Sequence, residues 1–134
     1  TGIDICPKMI GECKKKGVNA IKMDMSNLKF ENASFDGVWC MTSFSDVLKE
    51  NGEKVLKNFH NVLKSGGVLY IAVKEGQGQE IIPKEKYNNL PRFYAYYTEK
   101  ELVELLNKVG FEITSESTAK DDHNSWVEVF ARKV

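Results

Sequence analysis

A chain of 134 residues, 42% of them hydrophobic and 10% aromatic, is long enough for one hydrophobic core, and this composition excludes a disordered protein. The 19 basic and 19 acidic residues balance, so the chain as a whole lacks the positive charge that indicates nucleic-acid binding. Its three cysteines form no CxxC pair, which argues against a disulfide framework, and no apolar run reaches the roughly 20 residues of a membrane span. We therefore expect a soluble, cytoplasmic protein.

The first part of the chain alternates between strand and helix patterns. A β-branched strand at the start ends near Asp4, and the helix that follows begins at Pro7 and stops before Gly17. The segment NAIKMDM predicts a short strand, SNLKFENASFD predicts a loop, and FDGVWCM predicts a second buried strand flanked by turn-forming residues.

A long amphipathic helix and a buried strand occupy the middle of the chain. One apolar stripe on the helix is made of side chains at helical spacing: Val55, Leu56, Phe59, Val62 and Leu63. We expect the helix to end at KSGG, where Gly66 or Gly67 can adopt the left-handed conformation of a C-cap. The continuous apolar run VLYIAVK then predicts a central parallel strand that is buried on both faces.

The last part of the chain contains a polar segment, a helix and a hairpin pattern. Residues 75–97 show no sustained period, which predicts a long loop of a functional or mobile kind. TEKE at 98–101 is a capping box that begins a helix, and Gly110 ends it. Two alternating stretches around KDDHN predict an antiparallel hairpin. The element order therefore indicates an α/β fold, doubly wound, with a mainly parallel sheet and a C-terminal antiparallel β-hairpin.

Four segments of the chain resemble, in order and spacing, the class I S-adenosylmethionine-dependent methyltransferases. They are GIDICPKMI, KMDMSNLKFENASFDGVW, VLKNFHNVLKSGGVLYIAVKEG and YYTEKELVELLNKVGFEI. The resemblance covers essentially all of residues 1–134 and implies a Rossmann-like fold with S-adenosyl-L-methionine as the cofactor. It also implies transfer of a methyl group to a small-molecule acceptor by in-line displacement.

One part of the family pattern has no counterpart in this sequence. Family members carry, ahead of the strand that GIDI resembles, a first strand and a glycine-rich loop that holds the methionine half of the cofactor. EGQGQ at 75–79 does not match that loop, because it follows a later strand and precedes no helix pattern. The family's first strand lies in the middle of the sheet, and losing four or five buried side chains at about 1.5 to 3 kcal/mol each removes on the order of 10 kcal/mol.

A loss of this size is comparable to the stability of a whole domain, at about 5 to 15 kcal/mol. We therefore expect residues 1–134 to be a single, N-terminally incomplete methyltransferase domain that is inactive by itself. Residues upstream of Thr1 are the favoured source of the missing strand. Strand exchange in a dimer and an unusual packing are the alternatives, and a non-catalytic pseudo-enzyme module is the alternative to an enzyme.

The resemblance places five residues at the cofactor. Asp4, at the carboxyl end of its strand, would accept both ribose hydroxyls, and its alternative role is that of a carboxylate at a helix N-terminus. Asp24 would accept the adenine amino group beside the Met25 amide, unless it only forms a turn. Ile5 would pack on the adenine, and Cys40 would lie beneath the methionine portion or be a plain buried thiol.

The resemblance defines the methyl-acceptor site less closely than the cofactor site. CMTSFSD replaces the Asn-Pro-Pro-Tyr type of motif, which argues against methylation of exocyclic base amines. Relatives often have His where this chain has Asp46, so Asp46 is the candidate base, with a helix cap as the alternative. Arg92, Tyr96 and Tyr97 are the candidate acceptor contacts, and a strand-like edge that covers the sheet is the alternative.

Two further expectations concern RNA and metals. A similar arrangement of an arginine followed by aromatic residues occurs in tRNA wobble-uridine methyltransferases, so tRNA is the second candidate acceptor, although the zero net charge argues against it. His60 and His123 have no cysteine or carboxylate neighbour at ligand spacing. No metal site is therefore predicted, and both rings are expected in solvent.

Overall fold

The computed structural model describes all residues 1–134 and contains three α-helices and eight strands. The helices are α1 (Pro7–Lys15), α2 (Lys49–Val62) and α3 (Glu99–Val109). The strands are β1 (Gly2–Asp4), β2 (Ala20–Lys22), β3 (Phe35–Met41), β4 (Leu63–Lys74), β5 (Gln79–Lys84), β6 (Leu90–Ala95), β7 (Phe111–Lys120) and β8 (Ser125–Lys133). Short 3-10 turns cover Met25–Asn27, Ser43–Asp46 and Glu85–Tyr87. None of the helices is long and apolar enough to cross a lipid bilayer.

The strands form three separate sheets. The main sheet has the order β3-β4-β8-β7, in which β3 and β4 are parallel and β8 is antiparallel to both β4 and β7. The parallel pair β1-β2 and the antiparallel hairpin β5-β6 stand apart from it. The α/β class and the C-terminal antiparallel hairpin predicted from the sequence are confirmed.

The hydrophobic core lies between the main sheet and the helices α2 and α3. The inward side chains of β4 and β8 are completely buried, as are Val55 and Leu56 of α2 and Leu102 and Leu106 of α3. This arrangement follows from the sequence patterns, since the continuous apolar run of β4 is buried on both faces and the apolar stripe of α2 faces the sheet. The unit formed by β1, α1 and β2 contributes no residue to this core cluster.

The predicted glycine cap of α2 is wrong. The helix ends at Val62, and Leu63 already has extended backbone angles, φ −74° and ψ 139°. Lys133, at the end of β8, donates from Nζ to the carbonyl oxygens of His60 at 2.7 Å and Leu63 at 2.8 Å. A lysine from a distant strand thus satisfies the carbonyls at the helix C-terminus that a glycine cap would otherwise serve.

The loop predicted for residues 75–97 is also wrong in part, because β5 and β6 pair there in register from Gln79↔Ala95 to Lys84↔Leu90. Ile81 and Leu90 are 68% and 64% exposed, so these strands have no regular alternation of buried and exposed positions. The buried side chains of the hairpin, Tyr94 and Ala95, are consecutive rather than alternating, so the period-2 pattern of a strand is absent from the sequence.

The helix α3 has the predicted ends. The Thr98 side chain accepts a hydrogen bond from the Glu101 N–H at 3.1 Å, and Gly110 follows the helix with φ 107°, in the left-handed region. Gly110 also passes close to His60, since a Cβ on Gly110 would lie 3.2 Å from the His60 Nε2 atom.

The expectation that His60 lies in solvent is wrong. Its Nε2 atom is buried without a hydrogen-bond partner, and its ring contacts Phe111 edge-on with centroids 5.2 Å apart. Burial, followed by the positive charge of Lys133, lowers the pKa of His60 below its ordinary 6.5. The folded protein therefore resists protonation of this ring.

The pKa shift of His60 predicts a pH dependence of stability. Below about pH 6.5 the unfolded chain binds a proton at this position and the folded chain does not, so the free energy of unfolding should fall as the pH falls through this range. Urea unfolding between about pH 7.5 and 5.5, above the carboxylate range, measures the effect. His60→Gln should flatten the slope, whereas the control His123→Gln, in an exposed turn, should keep it. Equal slopes in all three proteins would contradict this account of His60.

Candidate cofactor site

A cavity of about 700 Å³ separates the β1-β2 pair from the main sheet. Residues 1–5 at and around β1 line one side of it, and Phe35 and residues 37–40 of β3 line the other. Met25 and Ser26 of the turn after β2, the segment 46–48 and the α2 residues Phe59 and Val62 also line it. Most of the lining side chains are apolar, with a small number of carboxylates among them, which is the usual make-up of a small-molecule site.

The two strands that border the cavity have free edges. β1 pairs only with β2, and β3 pairs only with β4, so each presents a side without ladder partners. Backbone N–H and C=O groups on such an edge are available to a further strand. The cavity therefore combines a lining of side chains with two incomplete sheet edges.

Asp4 lies at the carboxyl end of β1 and lines the cavity. Its Oδ1 atom accepts a hydrogen bond from the N–H of Cys6, the residue that precedes α1, at 2.8 Å. Oδ2 has no protein partner. One oxygen of Asp4 therefore bonds the backbone just ahead of α1, which has no side-chain cap, while the second oxygen remains available to a ligand.

Asp24 caps the 3-10 turn that follows β2. Its Oδ1 accepts from the Ser26 N–H at 2.7 Å, and hydrogen bonds from the backbone and side chain of Ser26 lower the pKa of Asp24. The turn-forming role of Asp24 is therefore realised. The carbonyl of Met25 accepts from Asn58 Nδ2 at 3.0 Å, which ties this turn to α2.

Ile5 and Cys40 lie at the strand ends on opposite walls of the cavity. Ile5 is 67% exposed, and Cys40 is 4% exposed. Burial raises the pKa of the Cys40 thiol, which lies 3.6 Å from the Ser43 hydroxyl. All five residues that the sequence assigned to the cofactor line this one cavity; their contact with the cofactor stays a prediction.

Asp46 is not a cap of α2. The helix begins at Lys49, its N-cap residue is Leu48, and no side chain caps it. Asp46 instead ends the preceding 3-10 turn, lines the cavity and accepts from Arg92 Nη2 at 3.4 Å. The carboxylate is therefore placed between the cavity and the β5-β6 hairpin.

The three candidate acceptor residues are in different places. Arg92 of β6 reaches the cavity rim through Asp46, as described. Tyr96 lies outside the cavity lining and donates to Glu80 Oε1 at 2.6 Å, and burial followed by this bond raises the pKa of Tyr96 to about 12. Tyr97 is 1% exposed within the core, where burial and then Glu101 raise its pKa to about 12.

Lys74 also lies beside this site, and the sequence patterns did not single it out. It ends β4 next to the carboxyl end of β3, and its Nζ lies 4.3 Å from the centre of the Tyr94 ring. The available signal was its position at the end of the VLYIAVK strand, where open α/β sheets bind ligands. Tyr94 gave no such signal, because its place depends on the hairpin that was predicted as a loop.

Comparison with known proteins identifies the family. A family profile described as "Methyltransferase domain" matches residues 1–71, more than half of the chain. A curated relative, an uncharacterised protein of Methanocaldococcus jannaschii, is 28% identical over 131 residues. The match covers 87% of this chain and 34% of the relative, so the chain spans about a third of that protein's length.

Two solved structures show the same fold. A SAM-dependent methyltransferase of Methanosarcina mazei has a TM-score of 0.89 at 20% identity, over 99% of this chain and 81% of that one. The 1,6-didemethyltoxoflavin-N1-methyltransferase of Burkholderia thailandensis, solved with 1,6-didemethyltoxoflavin and S-adenosylhomocysteine bound, has a TM-score of 0.77 at 22% identity, over 98% of this chain and 60% of that one. The chain therefore belongs to the methyltransferase domain family and has the Rossmann-like fold of the class I S-adenosylmethionine-dependent enzymes.

Proposed function

We propose that the protein is an S-adenosyl-L-methionine-dependent methyltransferase that moves a methyl group to a small-molecule acceptor. The observation that carries the proposal is the gathering of Asp4, Ile5, Asp24, Met25 and Cys40 around one cavity. These residues come from three separate parts of the chain, and the fold brings them to one cavity. The family and the ligand of the Burkholderia relative support the same cofactor and a small acceptor.

The carboxylates of Asp4 and Asp24 would bind different parts of the adenosine group of the cofactor. The free oxygen of Asp4 accepts from the ribose hydroxyls, while Asp24 and the Met25 amide bind the edge of the adenine. Ile5 supplies an exposed apolar face for the flat base, and burying that face removes its surface from water. Cys40 is small and uncharged at the strand tip, so the methionine portion can approach the end of β3 closely.

The residues of this chain would promote transfer mainly by position. When bound, S-adenosylmethionine supplies an electrophilic methyl group on a positively charged sulfur. The cavity walls exclude water and align the acceptor nucleophile with that methyl, and such alignment is a large source of rate. Asp46, at the rim, is placed to take a proton from an acceptor that must lose one.

RNA is the second candidate acceptor, on the resemblance of the Arg92 segment to tRNA methyltransferases. The balance of 19 basic and 19 acidic residues supports the small molecule, because contacts to phosphates dominate affinity for nucleic acid. A non-catalytic module is the alternative to an enzyme, and cofactor binding without methyl transfer to any acceptor would favour it.

We also propose that one strand fills the gap between β1 and β3, so that residues 1–134 form part of a single domain. The free edges of β1 and β3 face the same cavity, and a strand between them would pair with both. The strand would leave the cofactor the end of the cavity beside Asp4 and Cys40, at the carboxyl ends of β1 and β3. Residues preceding Thr1 in the whole protein are the proposed source. A segment exchanged with a second copy is the alternative.

The binding of the cofactor product tests the role of Asp4. Titration calorimetry with S-adenosylhomocysteine should show that Asp4→Ala weakens binding by about tenfold or more, because a hydrogen bond to a charged group is lost. Asp4→Asn keeps an acceptor for the Cys6 N–H and separates the loss of affinity from any change at the start of α1. Asp122→Ala, in an exposed turn, is the matched control and should bind normally. Unchanged affinity in Asp4→Ala would remove Asp4 from the site.

Hydrogen exchange tests the proposed strand. In the whole protein, the amides of β1 and β3 should exchange more slowly than the same amides in a protein made of residues 1–134, because a new strand would bond them. Val127 and Val129 of β8, which are fully buried away from the cavity, serve as the internal reference. Equal exchange of β1 and β3 in the two proteins would contradict the inserted strand, and protection that depends on protein concentration would indicate exchange between copies.

A further inference from the structure

A group of cationic and aromatic side chains lies beside the cavity, where β6 packs against the 3-10 turn Ser43–Asp46. We call it the cationic cluster; its members are Lys74, Lys84, Lys86, Arg92, Tyr87 and Tyr94. Lys74 comes from the end of β4, and the other members come from the β5-β6 hairpin and the turn between its strands. The cluster therefore exists only because the hairpin folds back over the carboxyl edge of the main sheet.

The geometry concentrates positive charge around two tyrosine rings. Around Tyr94, the Nζ atoms of Lys74 and Lys84 lie 4.3 Å and 5.2 Å from the ring centre, and the Arg92 guanidinium lies 5.7 Å from it. Around Tyr87, Lys86 Nζ and the Arg92 guanidinium lie 4.9 Å and 5.4 Å from the ring centre. Ring faces attract cations but carry no net charge, so they do not neutralise the cluster.

Carboxylates compensate this charge only in part. None of Lys74, Lys84 and Lys86 forms a salt bridge, and Arg92 has a single contact, with Asp46 at 3.4 Å. Lys74 Nζ donates to the neutral amide oxygen of Asn124 at 3.0 Å. Burial, and then the charges of the other three cations, lower the pKa of Lys74, against the weaker opposing effect of Asp121. Like charges held together in this way favour the binding of an anion.

We propose that the cationic cluster binds an anionic group, a carboxylate or a phosphate, on the small-molecule methyl acceptor. The inference rests on the proposed function and specifies its substrate class. Arg92 is the link between the two sites, because it belongs to the cluster and contacts Asp46 on the cavity rim. An acceptor held by its anionic end at the cluster would extend past Asp46 into the cavity, toward the end of β3.

The shape of the cationic cluster favours a small ligand over a nucleic acid. Tyr94 is 7% exposed and the side chain of Arg92 is 39% exposed, whereas Lys86 and Tyr87 are exposed, so the cluster extends from a buried ring to the surface. Four cations gathered around two aromatic rings suit one anionic group on a small or flat molecule, whereas a nucleic-acid backbone requires a longer stripe of exposed cations.

Binding of small anions tests the proposal. The probes are benzoate, inorganic phosphate and uncharged benzamide, each titrated at constant ionic strength with binding followed by the NMR signals of the cluster residues. We expect saturable binding of benzoate or phosphate and none of benzamide, and the tighter of the two anions identifies the carboxylate or the phosphate class. The double variant Lys84→Gln/Lys86→Gln should weaken anion binding by about tenfold or more.

Two control variants make the result specific to the cluster. Lys84→Arg/Lys86→Arg keeps the charge and should keep anion binding, which separates recognition from any loss of the hairpin fold. Lys14→Gln/Lys16→Gln changes the overall charge equally at the exposed end of α1 and should bind anions normally. Equal loss in this control would show a general effect of charge and overturn the proposal.

The remaining outcomes also decide the question. No saturable binding of either anion, or equal binding of benzamide, would overturn the anionic acceptor. Tighter binding of a short single-stranded RNA than of both small anions would overturn the small-molecule assignment. A parallel titration of the whole protein with S-adenosylhomocysteine distinguishes the two proposals. Cofactor binding without anion binding refutes only the cluster, and anion binding without cofactor binding refutes the methyltransferase site.

Discussion

The free backbone edges of β1 and β3, on opposite sides of one cavity, are the constraint on which the rest of the structure depends. Unpaired N–H and C=O groups on a strand edge are available to a further strand. Here two such edges face one cavity, and the carboxyl ends of both strands carry the candidate site. The two sides of the cavity are connected through α2 and the turn after β2.

The candidate site is assembled by ends of elements rather than by a continuous motif. β1 delivers Asp4, the turn after β2 delivers Asp24, and the tip of β3 delivers Cys40. Each is held by a local hydrogen bond or by burial that is independent of a ligand. The fold therefore fixes the positions of the proposed recognition groups before a ligand binds, which reduces the ordering cost of binding.

The sequence predicted the helices and strands whose ends carry capping or turn residues of their own. Thr98 and Gly110 delimit α3 by their own side-chain and backbone preferences, and the KDDHN turn marks the C-terminal hairpin. The end of α2 could not be found in this way, because Lys133, 70 residues beyond Leu63, takes the place of the glycine cap. The hairpin β5-β6 was missed because its buried side chains are consecutive rather than alternating.

In the candidate site, too, the sequence predicted what depends on local patterns and missed what depends on contacts between distant residues. The positions of Asp4, Asp24 and Cys40 at element ends could be proposed from strand patterns and from the resemblance to a family. The burial of His60 could not, because it depends on the approach of Gly110 and Phe111 from another part of the chain. The cationic cluster was equally hidden, since Lys74 meets its partners only after the unforeseen hairpin has folded.

A crystal structure of the whole protein with S-adenosylhomocysteine tests the central claim most directly. The account predicts the ribose against the Asp4 carboxylate, the adenine between Ile5 and the Asp24 turn, and one strand paired with both β1 and β3. A cofactor bound outside the cavity, or a gap that stays unfilled while the cofactor is bound, would contradict it.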